Sequence, residues 1–226
     1  MSTLYIVATP IGNLKDFSLR AIDVLRAVDV VLCEDTRVTK RLLDRYDIET
    51  PTLSYHQHTK IQKTHKIIDL LREGKNLALV SDAGTPGISD PGNKLIQAVF
   101  KGGLQTVHVS PIPGASAVSA AASISGFPMD KFLFMGFPPQ KKKRKKFFEE
   151  VVQSDYPVIL YESPHRIIKT LEELKEFDQK LQVVVCRELT KKFETIYRGI
   201  ISEVIYQVKE DTIKGEFVII TGGCRS

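Results

Sequence analysis

The sequence predicts an α/β protein built as two α/β domains with mixed or mostly parallel sheets and a ligand cleft. Three observations predict it. Short apolar runs alternate with amphipathic stretches along most of the chain. The runs are continuous rather than alternating, as expected of strands covered on both faces. Conformationally special and acidic residues follow the runs, and open α/β sheets bind ligands beyond the carboxyl ends of their strands.

The elements follow in order. LYIVA (4–8) reads as the first strand. In SLRAIDVLRAVD, Leu19, Ile22 and Leu25 recur at helical spacing and Ser18 is the candidate N-cap. VVLC (30–33) is a strand, and TRVTKRLLDRYD places Val38, Leu42 and Tyr46 on one helical face. TKIQKTHKIIDLLREG is a helix stopped by Gly74. Strand 77–80, a helix over 92–101 and strand QTVHV (105–109) complete the first unit. The segment SPIPGAS (110–116) is a punctuated joint and puts the domain boundary near 112, giving domains 1–112 and 113–226. The second domain reads as helix ASAVSAAASIS, strand KFLFMGF, a basic helix, strand PVILYES, helix SPHRIIKTLEELKEF, strand QVVVCREL and a last strand in GEFVIITGG. No repeat of 20 to 50 residues is visible.

Composition narrows the function classes. The chain has 226 residues, 42% of them hydrophobic, and a mean hydropathy of −0.09, which suits a soluble globular protein. No apolar run approaches the ~18 to 20 residues that cross a bilayer. The amino terminus reads as a strand rather than a signal peptide. Three cysteines without metal-ligand spacing point to reduced thiols and a cytoplasmic compartment. The formal charge is +5, yet residues 141–146 read KKKRKK. Subtracting those six charges leaves −1, so a near-neutral body carries one basic segment suited to an anionic polymer.

The strand ends hold the candidate chemistry. After the second strand comes CEDTR, with Glu34, Asp35 and Arg37. Acids at a helix start are also what the helix dipole favours, so this motif has a structural reading beside the functional one. After the strand at 77–80 comes SDAGTPGISDPG. Its second half reads as a helix start, with Ser89 or Asp90 as N-cap and Pro91 in the first turn. That reading leaves Asp82 and the Ala-Gly-Thr-Pro-Gly backbone unexplained, and glycine there lets backbone approach a ligand. The loop is neither a Walker A nor a Gly-x-Gly-x-x-Gly motif. His56 and His58 alternate without a third ligand nearby, so no metal is expected. In ESPHR, Ser163 and Pro164 read as a helix start, leaving His165 and Arg166 at the rim.

Taken together, VATPIGNLKDFSLRA, AVDVVLCEDTR, SDAGTPGISDPG, PIPGASA, YESPHR, CRELTKKFE and KGEFVII resemble the 16S ribosomal RNA (cytidine 2'-O)-methyltransferase family of the tetrapyrrole (corrin/porphyrin) methylase superfamily. The resemblance runs through nearly the whole chain in order. It implies S-adenosylmethionine as methyl donor, held between two α/β domains, and a homodimer. Carried over by motif, it implies cofactor contacts from Pro10 and Ile11, from Asp82, Ala83, Gly84 and Thr85, and from Ser116 and Ala117. The second domain would add Tyr161, Glu162, Leu189, Thr190 and Gly215. Two departures stand out: the superfamily's glycine-rich first loop is here ATPIGN, and the chain stops at IITGGCRS where relatives commonly continue.

The implied reaction displaces a methyl group onto a ribose 2'-hydroxyl. Such chemistry needs alignment and a base, and no metal. Glu34, Asp35 and His165 are the candidate bases. Arg37, Arg166 and Arg187 are candidates for phosphate contacts, and Lys141, Lys142, Lys143, Arg144, Lys145 and Lys146 for docking the surrounding 16S rRNA of the small ribosomal subunit. The other readings are a methyltransferase for a small tetrapyrrole and a non-catalytic RNA-binding assembly factor.

Overall fold

A computed structural model describes residues 2–56, 61–102 and 106–223. The chain divides into two compact units, Met1–Ser116 and Ala117–Ser226. Among the described residues no helix is long and apolar enough to cross a membrane.

The first unit holds β1 (Thr3–Val7), α1 (Leu19–Ala27), β2 (Val30–Cys33), α2 (Thr36–Arg45), β3 (Thr52–Ser54), α3 (Ile61–Arg72), β4 (Leu77–Val80), α4 (Asn93–Lys101) and β5 (His108–Ile112). The sheet order is β3-β2-β4-β1-β5, with every pair parallel. The continuous apolar runs are explained by two cores. Along β4, Ala78 and Val80 face one cluster and Leu77 and Leu79 the other. Helices α1 and α2 cover the first face, through Leu25 and Leu43; α3 and α4 cover the second, through Ile67, Leu71 and Leu95. Handedness demands this split. From β1 to β3 the chain winds toward one edge, and from β3 to β5 toward the other. Right-handed crossovers running in opposite directions lay their helices on opposite faces.

Local chemistry sets several boundaries. Ser18 accepts from the Ala21 amide and caps α1 as expected. Helix α3 ends as predicted at Gly74, whose φ is 87°. The Gly74 amide donates to Leu71 and the Lys75 amide to Leu70, the paired bonds of a Schellman stop. Other expectations shift. Leu19 is 80% exposed, so the buried stripe of α1 is Ala21, Ile22 and Leu25. In α2 the buried residues are Thr39 and Leu43, with Val38, Leu42 and Tyr46 half-buried beside them. Helix α4 starts at Asn93 behind Gly92, without a side-chain cap, so neither Ser89 nor Asp90 caps it. The fifth strand begins at His108 and runs through Pro111; Gln105 lies outside the described residues. Pro111 is tolerated because β5 is an edge strand.

The second unit holds α5 (Ala117–Ser125), β6 (Leu133–Gly136), α6 (Arg144–Val152), β7 (Val158–Glu162), α7 (Ile167–Phe177), β8 (Gln182–Arg187), β9 (Thr195–Ile200), α8 (Ile201–Glu210) and β10 (Phe217–Thr221). Its sheet, β6-β7-β10-β8-β9, is mixed: β6 and β7 are parallel, whereas β10 is antiparallel to both neighbours and β9 to β8. Val158 and Leu160, Val183 and Val185, and Phe217 and Ile219 pack against α6, α7 and α8. Helix α5 lies against β10. Helix α7 starts at Ile167, after a turn in which the Ile167 amide donates to the Ser163 carbonyl. Ser163 is therefore not its N-cap.

Candidate active site

The five strands of the first sheet present their carboxyl ends along one edge. Strand β4 has a special place there. Its neighbours β2 and β1 are followed by helices on one face, while β4 is followed by α4 on the other. The connections therefore diverge on both sides of β4, which is where crevices open in such sheets. The loop SDAGTPGISDPG leaves from that point.

Small hydroxyls hold this loop to its neighbours. The Thr9 amide donates to the Gly84 carbonyl (2.9 Å) and the Gly84 amide to Thr9 (3.1 Å), a single antiparallel bridge between the loops after β1 and β4. The Thr9 hydroxyl donates to the Ser81 carbonyl (3.0 Å), and the Ser81 hydroxyl to the Gly84 carbonyl (3.0 Å). Thr85 donates to the Ala115 carbonyl (3.1 Å), joining the loop after β5. Gly84 has a φ of 81°, and a Cβ there would lie 3.3 Å from the Ile11 side chain. Pro10 and Ile11 are buried beside this stitch, while Asp82 and Ala83 are exposed. Neither Thr9 nor Ser81 was singled out from the sequence. The legible signal was a hydroxyl residue directly after an apolar strand, where a buried side chain needs a partner.

Three carboxylates stand at the ends of β2 and β4. Asp35 caps α2, accepting from the Arg37 amide (2.8 Å), and is paired with the Arg37 guanidinium (2.7 Å). Those bonds hold the Asp35 carboxyl far below the usual carboxylate range. Asp82 accepts from the Asp35 amide (3.2 Å) and so ties the β4 loop to the start of α2. Glu34 behaves in the opposite sense. Burial pushes its carboxyl up, the Asp82 charge adds to that, and His56 partly opposes it. Arg37 is 83% exposed along its side chain and remains at the surface. Among the described residues no group of histidine, cysteine, aspartate or glutamate could hold a metal. His58 lies outside the described residues.

The second unit gathers its candidates at one edge of its own sheet. Phe217 pairs with Glu162 on one side and Arg187 on the other, so the ends of β7 and β8 meet the start of β10. Gly215, Leu189 and Thr190 extend beyond that edge. Gly215 has a φ of 87°, and a Cβ there would overlap the Glu188 side chain at 2.3 Å. Glu188 in turn accepts from Lys191 (2.8 Å) and from the Glu216 amide (2.9 Å). Leu189 is buried, and Thr190 adopts a φ of 66°. Ser116 is half-buried and ends the first unit; Ala117 opens α5.

Three charged residues are engaged inside this unit. The Glu162 side chain is fully buried and accepts from the Ser163 amide (2.7 Å), the Thr170 hydroxyl (2.6 Å) and Arg166 (2.8 Å). Its carboxylate is thus occupied internally, and a ligand contact here would have to use backbone. Arg144 is 6% exposed. It donates to Glu173 (2.6 Å), Thr170 (2.7 Å) and the Pro139 carbonyl (2.9 Å), and lies over the Phe148 ring. Lys143, with a φ of 66°, turns the chain so that Arg144 points inward. The basic run therefore offers Lys141, Lys142, Lys143, Lys145 and Lys146 to solvent, and Arg144 is corrected from an RNA-docking cation to a structural one. Arg187 is corrected likewise: it is buried, donating to the Lys214 carbonyl (2.9 Å) and Asp211 (3.0 Å). His165 is exposed in the turn before α7. Thr170 was missed in the sequence. Its position among Ile167, Leu171 and Leu174 on the buried face of α7 was the available sign that a polar partner lies underneath.

Comparison with known proteins gives this geometry its family. Residues 3–205 match the family described as Tetrapyrrole (Corrin/Porphyrin) Methylases. The ribosomal RNA small subunit methyltransferase I of Bacillus subtilis is 48% identical over 99% of this chain and 76% of its own length. That of Thermotoga maritima is 40% identical over 99% of both. Among solved structures, the methyltransferase CobJ superposes with a TM-score of 0.71 at 16% identity, covering 99% of this chain and 94% of that one. The uroporphyrin-III-C-methyltransferase of Thermus thermophilus gives 0.66 at 18%, covering 97% and 94%. At that identity the two solved structures speak for the fold alone. The chain belongs to the tetrapyrrole (corrin/porphyrin) methylase family and, within it, to the ribosomal RNA small subunit methyltransferase I group.

Proposed function

We propose that the chain methylates the ribose 2'-hydroxyl of a cytidine in 16S rRNA of the small ribosomal subunit, with S-adenosylmethionine as donor. The observation that carries this reading is the full-length likeness to ribosomal RNA small subunit methyltransferase I, which covers 99% of both chains for the Thermotoga maritima protein. The free, buried thiols of Cys33 and Cys186 suit a cytoplasmic enzyme. A homodimer is part of the same reading.

The first unit's strand ends fit such a donor. It is cationic at its sulfonium and its amino group, and Glu34 and the exposed Asp82 stand at the ends of β2 and β4. Gly84 lets loop backbone approach it, and the bonds from Thr9, Ser81 and Thr85 fix that loop beforehand. When bound, the donor supplies an activated methyl group and leaves as a neutral thioether. The chain's task is then alignment, which lowers a barrier by roughly 7 to 11 kcal/mol when geometry is well held, together with removal of the hydroxyl proton.

Glu34 is the best suited of the three candidate bases. Asp35 is held ionised by Arg37 and caps a helix, so it is a weak base with a structural duty. Glu34 combines partial burial with a raised carboxyl, and a base whose pKa approaches the working pH takes a proton more readily. His165 would then touch the substrate rather than take its proton. Lys141, Lys142, Lys143, Lys145 and Lys146 meet phosphates, adding affinity without reading sequence.

The test is methyl transfer from isotopically labelled donor to small ribosomal subunits, followed by nucleoside mass spectrometry. 2'-O-Methylcytidine is expected. A base-methylated nucleoside, or transfer to a tetrapyrrole instead, would overturn the substrate assignment. RNA binding with no transfer at all would leave an assembly factor.

A further inference from the structure

We infer that Phe137, at the end of the edge strand β6, is a stacking platform for an unpaired nucleobase of the RNA. This rests on the RNA-directed reading above but adds a subsite to it. Phe137 is 52% exposed, although it follows a strand directly. It is held rather than loose. The Tyr161 ring meets it edge-on at 5.5 Å and 64°, and the same Tyr161 ring meets Phe134 at 4.9 Å and 65°. The two residues after it are clamped through their carbonyls: Pro138 accepts from Arg166 (3.2 Å) and Pro139 from Arg144 (2.9 Å). Both guanidiniums belong to the network around Glu162, Thr170 and Glu173.

An exposed aromatic ring with a fixed backbone loses little freedom when a flat partner covers it. What partner it suits follows from the charges beside it. Lys141, Lys142 and Lys143 are exposed four to six residues further along the chain. A cationic strip next to a bare aromatic ring is the arrangement that holds single-stranded nucleic acid, phosphates on one part and a stacked base on the other. A protein partner of apolar character would be repelled by neither feature, but it would leave the lysines without counter-charge.

The absence of tryptophan from the sequence makes the test direct. Phe137→Trp introduces the chain's single indole. Its fluorescence should be quenched when a short cytidine-containing single-stranded RNA binds the full chain. Phe137→Ala should weaken that binding about 5- to 100-fold, the range set by one base stack, and leave the salt dependence unchanged, since no charge is removed. The melting temperature should hold because the ring is exposed. If anisotropy shows RNA bound at wild-type strength to Phe137→Ala, or bound without quenching in Phe137→Trp, the platform is wrong. If Phe137→Ala instead dissociates an oligomer in sedimentation at constant RNA affinity, the ring packs against a second copy and the platform is also wrong. Failure of the wild-type chain to bind RNA at all would instead sink the RNA-directed reading itself.

Discussion

The two sheet edges handle charge in opposite ways. In the first unit, hydroxyls and backbone amides from Thr9, Ser81, Gly84 and Thr85 hold the loops, and the carboxylates of Glu34 and Asp82 are left facing outward. In the second, Glu162, Arg166, Arg144 and Glu173 neutralise one another inside the unit, as do Arg187 and Asp211. The sheets account for the difference. Five parallel strands send every carboxyl end to one side, where neighbouring loops can bond to one another through short groups. The mixed sheet brings the start of β10 between the ends of β7 and β8, and longer charged side chains fill the gaps. The first edge is built to receive charge from a ligand. The second is built to hold a loop, the one that carries the lysines.

The comparison breaks most sharply through stability. Glu162→Ala leaves Arg166 and Thr170 without their buried acceptor, and removing one partner of a buried pair costs about 3–5 kcal/mol. Thr9→Val in the first unit removes one hydroxyl bond and should cost only about 0.5–1.5 kcal/mol. Denaturant unfolding of both variants checks the ordering. Equal costs would mean that the second network is no more than a surface decoration.

Much of this contrast was legible in the sequence, and the missing part has physical causes. The parallel unit was readable because covered strands are continuous apolar runs bounded by glycine and proline. VVLC and LALV are found as strands at the predicted residues. Strand β3, only Thr52–Ser54, has no apolar run of its own and was invisible. Strand β9, TIYRGI, mixes polar and apolar residues because it is an edge strand, and helix α8 follows it without a capping side chain. At the candidate site, sequence could say which residues stand at strand ends. It could not say that Arg144 turns inward, because Lys143 takes a left-handed conformation that no lysine announces. Six adjacent cations looked equivalent, and one of them is a structural strut.

That distinction yields the second prediction. Replacing Lys141, Lys142, Lys143, Lys145 and Lys146 with glutamine should weaken RNA binding and flatten its salt slope, by about 0.7 for each phosphate of a single strand that is no longer neutralised. Arg144→Gln should leave most of the slope in place and lower the unfolding midpoint instead. Binding titrations across salt concentrations, paired with melting curves, separate the two. A slope that falls as much for Arg144→Gln as for a single lysine would return that side chain to the RNA interface.

The smallest effect tests the open edge. If Glu34 takes the hydroxyl proton, kcat must rise with pH as Glu34 ionises, and that limb lies above the ordinary carboxylate value because the group is partly buried and faces Asp82. Asp82→Asn removes a like charge, favours the ionised form of Glu34 and should move the limb to lower pH. Asp35→Asn should leave the limb where it is, since Asp35 is already neutralised by Arg37. The profile is measured at saturating donor, so that weaker donor binding by the Asp82 variant does not disguise the shift. A limb that stays fixed in Asp82→Asn but moves in Asp35→Asn would transfer the role of base from the first carboxylate of the Glu-Asp pair to the second. The N-cap of α2 would then be part of the chemistry rather than its support.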